Sequence, residues 1–163
     1  MRNQEIKIRC AEPADYDYII STLNDWWGGR LMSDMLPRLF FVHFRDTSFI
    51  AEKEGEIIGF LIGFLSQART EEAYVHFAGV HPGCRGQGVG RALYERFFET
   101  VRREGRTIVR CVTSPVNKGS IVFHARIGFK VEGPEESTQG VGVCPEYDGP
   151  GNDRVLFVRQ LTT

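Results

Sequence analysis

The 163-residue sequence predicts an α/β fold, a mixed central sheet of about seven strands flanked by about four helices. Three observations predict it. Some short segments alternate apolar with charged residues or run apolar without a break, as strands do. Others repeat apolar residues three and four apart, as helices do. The two kinds interleave in the order βααβββαβαββ, and one strand-to-helix junction near mid-chain is unusually rich in glycine.

Ile6 and Ile8 alternate with charged neighbours and mark the first strand. Glu12-Pro13-Ala14-Asp15 reads as a helix start, because proline suits the first turn and acids oppose the helix dipole. Tyr16, Ile19, Ile20 and Leu23 continue that helix until Gly28 and Gly29 break it. A second helix is expected through Met32, Met35, Leu36, Leu39, Phe40, His43 and Phe44, with Pro37 able to kink or split it. Segments 49–51 and 57–65 form a hairpin around Glu54-Gly55. Segment 73–80 is a further strand. Val89, Leu93, Phe97 and Val101 fall four apart on a helix that ends at Gly105. A strand at 108–112, a helix at 120–127 and a strand at 129–131 follow. Segment 133–151, with many Gly, Pro and acidic residues, is expected to be irregular, and 155–158 closes the sheet.

The length suits one compact domain covering residues 1–163. Twenty basic residues against 21 acidic ones leave a net charge of −1, which argues against a nucleic-acid partner. The longest apolar run, 57–65, is interrupted by Gly59 and Gly63 and falls short of the ~20 residues that span a bilayer. Met1-Arg2-Asn3-Gln4-Glu5 leads into an alternating segment and not into an apolar signal core. Cys10, Cys84, Cys111 and Cys144 are far apart, so no metal site is expected and the thiols read as free. The expected location is therefore cytoplasmic, without membrane attachment.

Val80-His81-Pro82-Gly83-Cys84-Arg85-Gly86-Gln87-Gly88-Val89-Gly90-Arg91 follows a strand and opens a helix. Glycines let a ligand approach the backbone, and the first N–H groups of a helix have no partner within it. With the helix dipole they make an anion site, and Arg85 and Arg91 add positive charge. The ligand class is a phosphate or pyrophosphate. A P-loop would need lysine after Gly88, where Val89 stands, and the Gly86/Gly88/Gly90 spacing does not fit GxGxxG.

Arg85-Gly86-Gln87-Gly88-Val89-Gly90 resembles the R/Q-x-x-G-x-G/A motif of the GCN5-related N-acetyltransferase (GNAT) superfamily. The opening from Ile8 to Asp15 and the segment from Asn117 to Phe129 are similar to further parts of that family, as is the element order. The resemblance implies a single acetyltransferase domain with a largely antiparallel sheet and acetyl-CoA as donor. It implies that backbone N–H groups of Gln87, Gly88, Val89, Gly90 and Arg91 hold the pyrophosphate, beside Arg85 and Gly86. It implies that strand 73–80 splays from its neighbour, taken to be strand 129–131. The pantetheine arm would lie in the gap against the backbone of Ala78, Gly79 and Val80, with Asn117 and Ser120 as further cofactor contacts. It also implies direct transfer to an amine within a ternary complex.

Such transfer needs a base for the amine and an acid for the departing thiolate. Many members carry a tyrosine four residues before a Gly-Phe pair as the acid. Here that place holds His124, a departure from the pattern, and an imidazolium is a suitable donor. The base in some members lies four or six residues before the valine that starts the loop. Those places hold His76 and Tyr74, with His76 the leading candidate and Glu71 and Glu72 the alternatives. Alternation puts Tyr74, His76 and Ala78 on one face. The acceptor pocket is expected from Trp26, Trp27, Arg30 and Tyr74, with Glu146 and Asp148 on the irregular segment. A small-molecule primary amine is the expected acceptor. A non-catalytic acetyl-CoA sensor and a protein or peptide N-acetyltransferase are the alternatives, and the fold's strand edges permit a homodimer.

Overall fold

The computed structural model describes residues 5–133 and 142–162. Eight strands form one sheet in the order β1-β2-β3-β4-β5-β8-β6, with β7 also pairing β8. β1 (Lys7–Cys10), β2 (Phe49–Lys53), β3 (Glu56–Leu65) and β4 (Glu72–Val80) are antiparallel neighbours. β5 (Ile108–Thr113) pairs with β4 in parallel and with β8 (Arg154–Gln160) antiparallel. β6 (Lys130–Glu132) and β7 (Val143–Cys144) pair with β8. The parallel β4–β5 pair follows from the connection: α3 (Val89–Arg103) crosses over the sheet between β4 and β5.

α1 (Asp15–Trp26) and α2 (Leu39–His43) cover one face of the sheet. α3 and α4 (Lys118–Arg126) cover the other. β3 is buried on both faces, which explains its nearly unbroken apolar run. Phe60 and Ile62 join Ile19, Leu23 and Phe41 on the α1 side. Leu61 joins Leu93, Phe97 and Val101 on the α3 side. Glu54 and Gly55 both have positive φ, 52° and 80°, and make the two-residue turn of the β2–β3 hairpin.

Two expectations are corrected. The second helix is not continuous: a 3-10 turn at Ser33–Met35 precedes α2, and another at Arg45–Thr47 follows it. Pro37 splits it, since Leu36 takes φ −130° and ψ 74°, outside the helical region as residues before proline tend to be. The strand beside β4 is β5 and not segment 129–131, which lies at the far edge against β8. That segment follows α4, and β8 stands between it and β5. The segment expected to be irregular contributes the short β7, and its residues 134–141 lie outside the described residues. Among the described residues, no helix is long and apolar enough to cross a membrane.

Phe97 is fully buried, and its ring fills the space above Gly63, where a Cβ would come within 2.5 Å of it. Phe97→Ala is expected to cost about 3–5 kcal/mol through lost burial and an unfilled cavity. A urea titration should show a lower midpoint at unchanged slope. An unchanged midpoint would mean that α3 is not anchored through this ring.

Candidate active site

β4 and β5 pair only over Glu72–Ile108, Ala73–Val109 and Tyr74–Arg110. Beyond Tyr74 the two strands separate, while β4 stays paired with β3 to Val80. The resulting cleft has a volume of about 1540 Å³ and runs from Arg30 and Met35 past β4 to the start of α4. β4 also carries a bulge. Ile62 pairs with Phe77 and Gly63 with Val75, so His76 is the extra residue. The bulge reverses the alternation of faces. Tyr74 stacks on Phe64 and His76 on Phe40, whereas Ala78 packs against the α3 cluster. The expectation that all three share one face is corrected accordingly.

At one end of the cleft α3 begins. Gly86 and Gly88 have φ of 79° and 85°, and nothing lies within 4 Å of a Cβ at either. The first intrahelical bond runs from the Ala92 N–H to the Gly88 carbonyl at 3.0 Å. The N–H groups of Val89, Gly90 and Arg91 precede it, and no side chain caps the helix. An open, glycine-lined helix start of this kind fits a pyrophosphate. Gly90 has a different task, since a Cβ there would crowd the Phe123 ring of α4 at 3.0 Å. Arg85 turns inward: its guanidinium donates to the Val80 carbonyl at 3.2 Å and the Trp26 carbonyl at 2.6 Å. It thereby ties the end of β4 to the end of α1. The Gln87 side chain turns back toward the Gly83 carbonyl at 3.5 Å.

His76 lines the cleft. Its Nε2 lies 2.6 Å from the Met35 carbonyl, and its ring stacks on Phe40 at 4.4 Å. A carbonyl only accepts, so Nε2 carries the proton and Nδ1 of the neutral ring has the lone pair. Glu72 is engaged elsewhere, with Arg110 at 3.1 Å and Arg69 at 3.5 Å. Glu71 is exposed at the strand start. Tyr74 also lines the cleft, and burial pushes its phenol pKa well up.

His124 is buried on α4 with its ring stacked on Phe157 at 4.7 Å. Its Nδ1 lies 2.7 Å from the Ser120 carbonyl and 3.1 Å from the Ser120 hydroxyl. Nδ1 therefore carries the proton, and Nε2 accepts from the Tyr94 hydroxyl at 2.8 Å. Burial lowers the His124 pKa below its ordinary value, and the bond to the Ser120 carbonyl offsets this in part. Asn117 caps α4 by accepting from the Ser120 N–H at 3.2 Å.

The two tryptophans separate. Trp26 is a core residue stacked on Phe60 at 5.9 Å. Trp27 lies over Gly79, where a Cβ would come within 2.5 Å of its ring, and meets Phe77 at 5.0 Å. Arg30 is exposed at the cleft's rim. Asp148, which also lines the cleft, accepts from Arg154 at 2.7 Å, and the Glu146 N–H donates to Asp153 at 2.8 Å.

A family model described as "Acetyltransferase (GNAT) family" matches residues 13–129. The chain belongs to the GNAT acetyltransferase family. An L-2,4-diaminobutyric acid acetyltransferase of Nocardia farcinica is 31% identical over 110 residues, which are 66% of this chain and 56% of that protein. The chain thus spans little more than half the length of this relative. Among solved structures, yncA of Salmonella typhimurium, described as a putative acetyltransferase with its cofactor acetyl-CoA, superposes with a TM-score of 0.71 at 21% identity. That match covers 98% of this chain and 95% of the other. The diaminobutyrate acetyltransferase EctA of Paenibacillus lautus, solved with its substrate and coenzyme A, gives 0.69 at 23% identity, covering 96% and 95%. At these identities the structures attest the GNAT fold.

Within this GNAT cleft, sequence reasoning missed Tyr94. It sits on the apolar stripe of α3 and reads as core. The available signal was chemical: a buried tyrosine needs a partner for its hydroxyl. Arg85 was read as facing the phosphate, although it bonds two carbonyls.

The His124 environment has a consequence for pH. Its folded pKa lies below the ordinary value of 6.5, so in that interval the unfolded chain binds the proton that the folded one refuses. The stabilisation is complete above pH 6.5 and falls as pH drops through the ordinary value toward the folded one. His124→Gln is expected to flatten the fall of thermal midpoint with acidification in that interval. An identical slope in the variant would show that His124 is not the buried neutral group.

Proposed function

We propose that the protein is an acetyl-CoA-dependent N-acetyltransferase that acts on the primary amine of a small molecule by direct transfer in a ternary complex. One observation carries the reading: the uncapped start of α3 and the His76 ring open onto the same cleft between the separated strands. Acetyl-CoA supplies the activated acyl group. The N–H groups of Gln87, Gly88, Val89, Gly90 and Arg91 hold its pyrophosphate, with Gly86 leaving the approach open. Backbone groups of Ala78 and Gly79 lie along the arm's path, and Asn117 and Ser120 flank it at the start of α4. Stabilisation of developing oxyanion charge falls to the β4 backbone.

His76 Nδ1 takes the proton of the acceptor's ammonium group, which frees the nitrogen lone pair to attack. The new C–N bond replaces the C–S bond; the nitrogen sheds its second proton as the departing sulfur takes one up, so the proton on His76 is the net release. Only the imidazolium form of His124 has a proton to give, and burial makes that form a stronger acid than free histidine. Trp27, Arg30 and Tyr74 face the acceptor end of the cleft. Arg30 suits a carboxylate on the acceptor, and the relative named for L-2,4-diaminobutyric acid supports a small amine as its class.

The test is calorimetric titration with acetyl-CoA, followed by thiol release across a panel of primary amines. Selective binding and amine-dependent thiol release are expected. Binding without release from any amine would leave a sensor, and release only with peptides would move the acceptor class to proteins. His76→Ala is expected to keep acetyl-CoA affinity and lose roughly 100-fold or more in kcat, with a flattened acidic limb of the pH–rate profile. An unchanged limb would transfer the base to another group. His124→Ala at full turnover would remove His124 from the chemistry.

A further inference from the structure

Tyr94 is a buried titratable group that the mechanism above leaves without a task. It stands on the inner stripe of α3 and lines the main cleft together with His124 and Cys111. Among the described residues, its hydroxyl bonds His124 Nε2 alone, at 2.8 Å. Phe98, Phe123 and Phe129 pack around its ring at centroid distances of 5.9, 5.5 and 6.0 Å. Both nitrogens of His124 are therefore occupied: Tyr94 takes Nε2, and the Ser120 carbonyl takes Nδ1 at 2.7 Å. A carbonyl has no proton to pass on. A hydroxyl does, because it has one proton to give and two lone pairs to receive another. The pair also stands opposite His76. His76 reaches the gap between β4 and β5 from the α1–α2 face, where it stacks on Phe40. Tyr94 and His124 reach it from the α3–α4 face.

We propose that Tyr94 carries the proton from His124 to the departing sulfur and is the residue that meets the leaving group. The inference rests on the acetyl-transfer reading above. In the imidazolium form, Nε2–H donates to the Tyr94 oxygen across the same 2.8 Å, and the phenolic O–H turns toward the cleft. As the C–S bond breaks, the O–H proton passes to sulfur and the Nε2 proton passes to the Tyr94 oxygen. Tyr94 begins and ends as a phenol, His124 ends neutral, and the sulfur leaves as a thiol. His124 regains a proton from solvent, in exchange for the one that the acylated nitrogen sheds. Donation by Tyr94 alone would leave a phenolate in an apolar pocket, and burial pushes the phenol pKa well above its ordinary value. Coupling to His124 removes that cost. Cys111 on β5 is the other titratable group felt at Tyr94. Burial pushes its thiol up, so it remains neutral and a poor acid.

The first experiment is a double-mutant cycle on single-turnover rates with the best amine of the panel, acetyl-CoA affinity being measured alongside. Tyr94→Phe should lose about 100-fold in rate and keep its affinity for acetyl-CoA. His124→Gln should lose a similar factor. The double variant should be no slower than the slower single one, because either change breaks the same chain. Losses that multiply to about 10,000-fold would mean independent roles and overturn the relay. Tyr94→Phe at full rate overturns it too, and hands the proton's exit to the Ser120 hydroxyl, 3.1 Å from Nδ1. A second measurement leaves the core untouched. It uses wild-type protein carrying carbon-13 at the phenolic carbon of its five tyrosines. The Tyr94 resonance, assigned by replacing the other four, should differ between the complexes with coenzyme A and with desulfo-coenzyme A. Identical resonances place the sulfur elsewhere and overturn the proposal. A wild type that binds no acetyl-CoA, or releases no thiol with any amine, overturns the acetyl-transfer reading first, and this inference with it.

Discussion

The site depends on one constraint: β4 has a full partner on one edge and a three-residue partner on the other. A parallel neighbour needs a crossover, and α3 is that crossover. Its start must therefore lie at the end of β4, which is where the strands have separated. The same connection that creates the gap delivers a helix N-terminus to its mouth. Arg85 then ties this junction to the end of α1 through two carbonyls, which carries Trp27 over Gly79. The cleft's floor, its anion end and one wall are consequences of a single chain reversal.

The two histidines show how backbone carbonyls can set chemistry. His76 gives its Nε2 proton to the Met35 carbonyl, and His124 gives its Nδ1 proton to the Ser120 carbonyl. The neutral rings are therefore opposite tautomers. His76 retains a lone pair on Nδ1 beside the cleft. His124 has its lone pair filled by the Tyr94 hydroxyl. A ring with a free acceptor suits proton uptake. A buried ring with both nitrogens occupied takes up a proton only reluctantly and releases it readily. The difference in protonation pattern follows from these bonds and not from the residue type, which is the same at both places.

What was legible in the sequence was local. The glycine spacing at 86, 88 and 90 and the element order depend on neighbours within a few residues, so they could be read directly. The bulge at His76 could not, because it is a matter of register with β3 and leaves no mark on β4 alone. It moved Ala78 to the opposite face from Tyr74 and His76. The neighbour of β4 was misplaced for a similar reason: strand order is set by crossovers, and segment 129–131 is nearer to the sheet's edge than its motif suggests. Tyr94 was hidden because its hydroxyl partner lies 30 residues away on another helix.

Pro37 joins the readable to the unreadable. Its presence in an apolar helical stripe is visible in the sequence, and so is the expectation of a break. The use of that break is visible only in three dimensions. In a continuous helix the Met35 carbonyl would accept from the N–H of residue 39. With the chain turned out of helix at Leu36, that carbonyl is available, and His76 donates to it. Phe40, in the first turn of the helix that resumes after the break, supplies the ring on which His76 stacks. The proline thus sets the tautomer of a residue 39 positions later, without touching it. A backbone interruption that looks like a packing defect in the second helix holds the imidazole as the Nε2–H tautomer, with the lone pair on Nδ1.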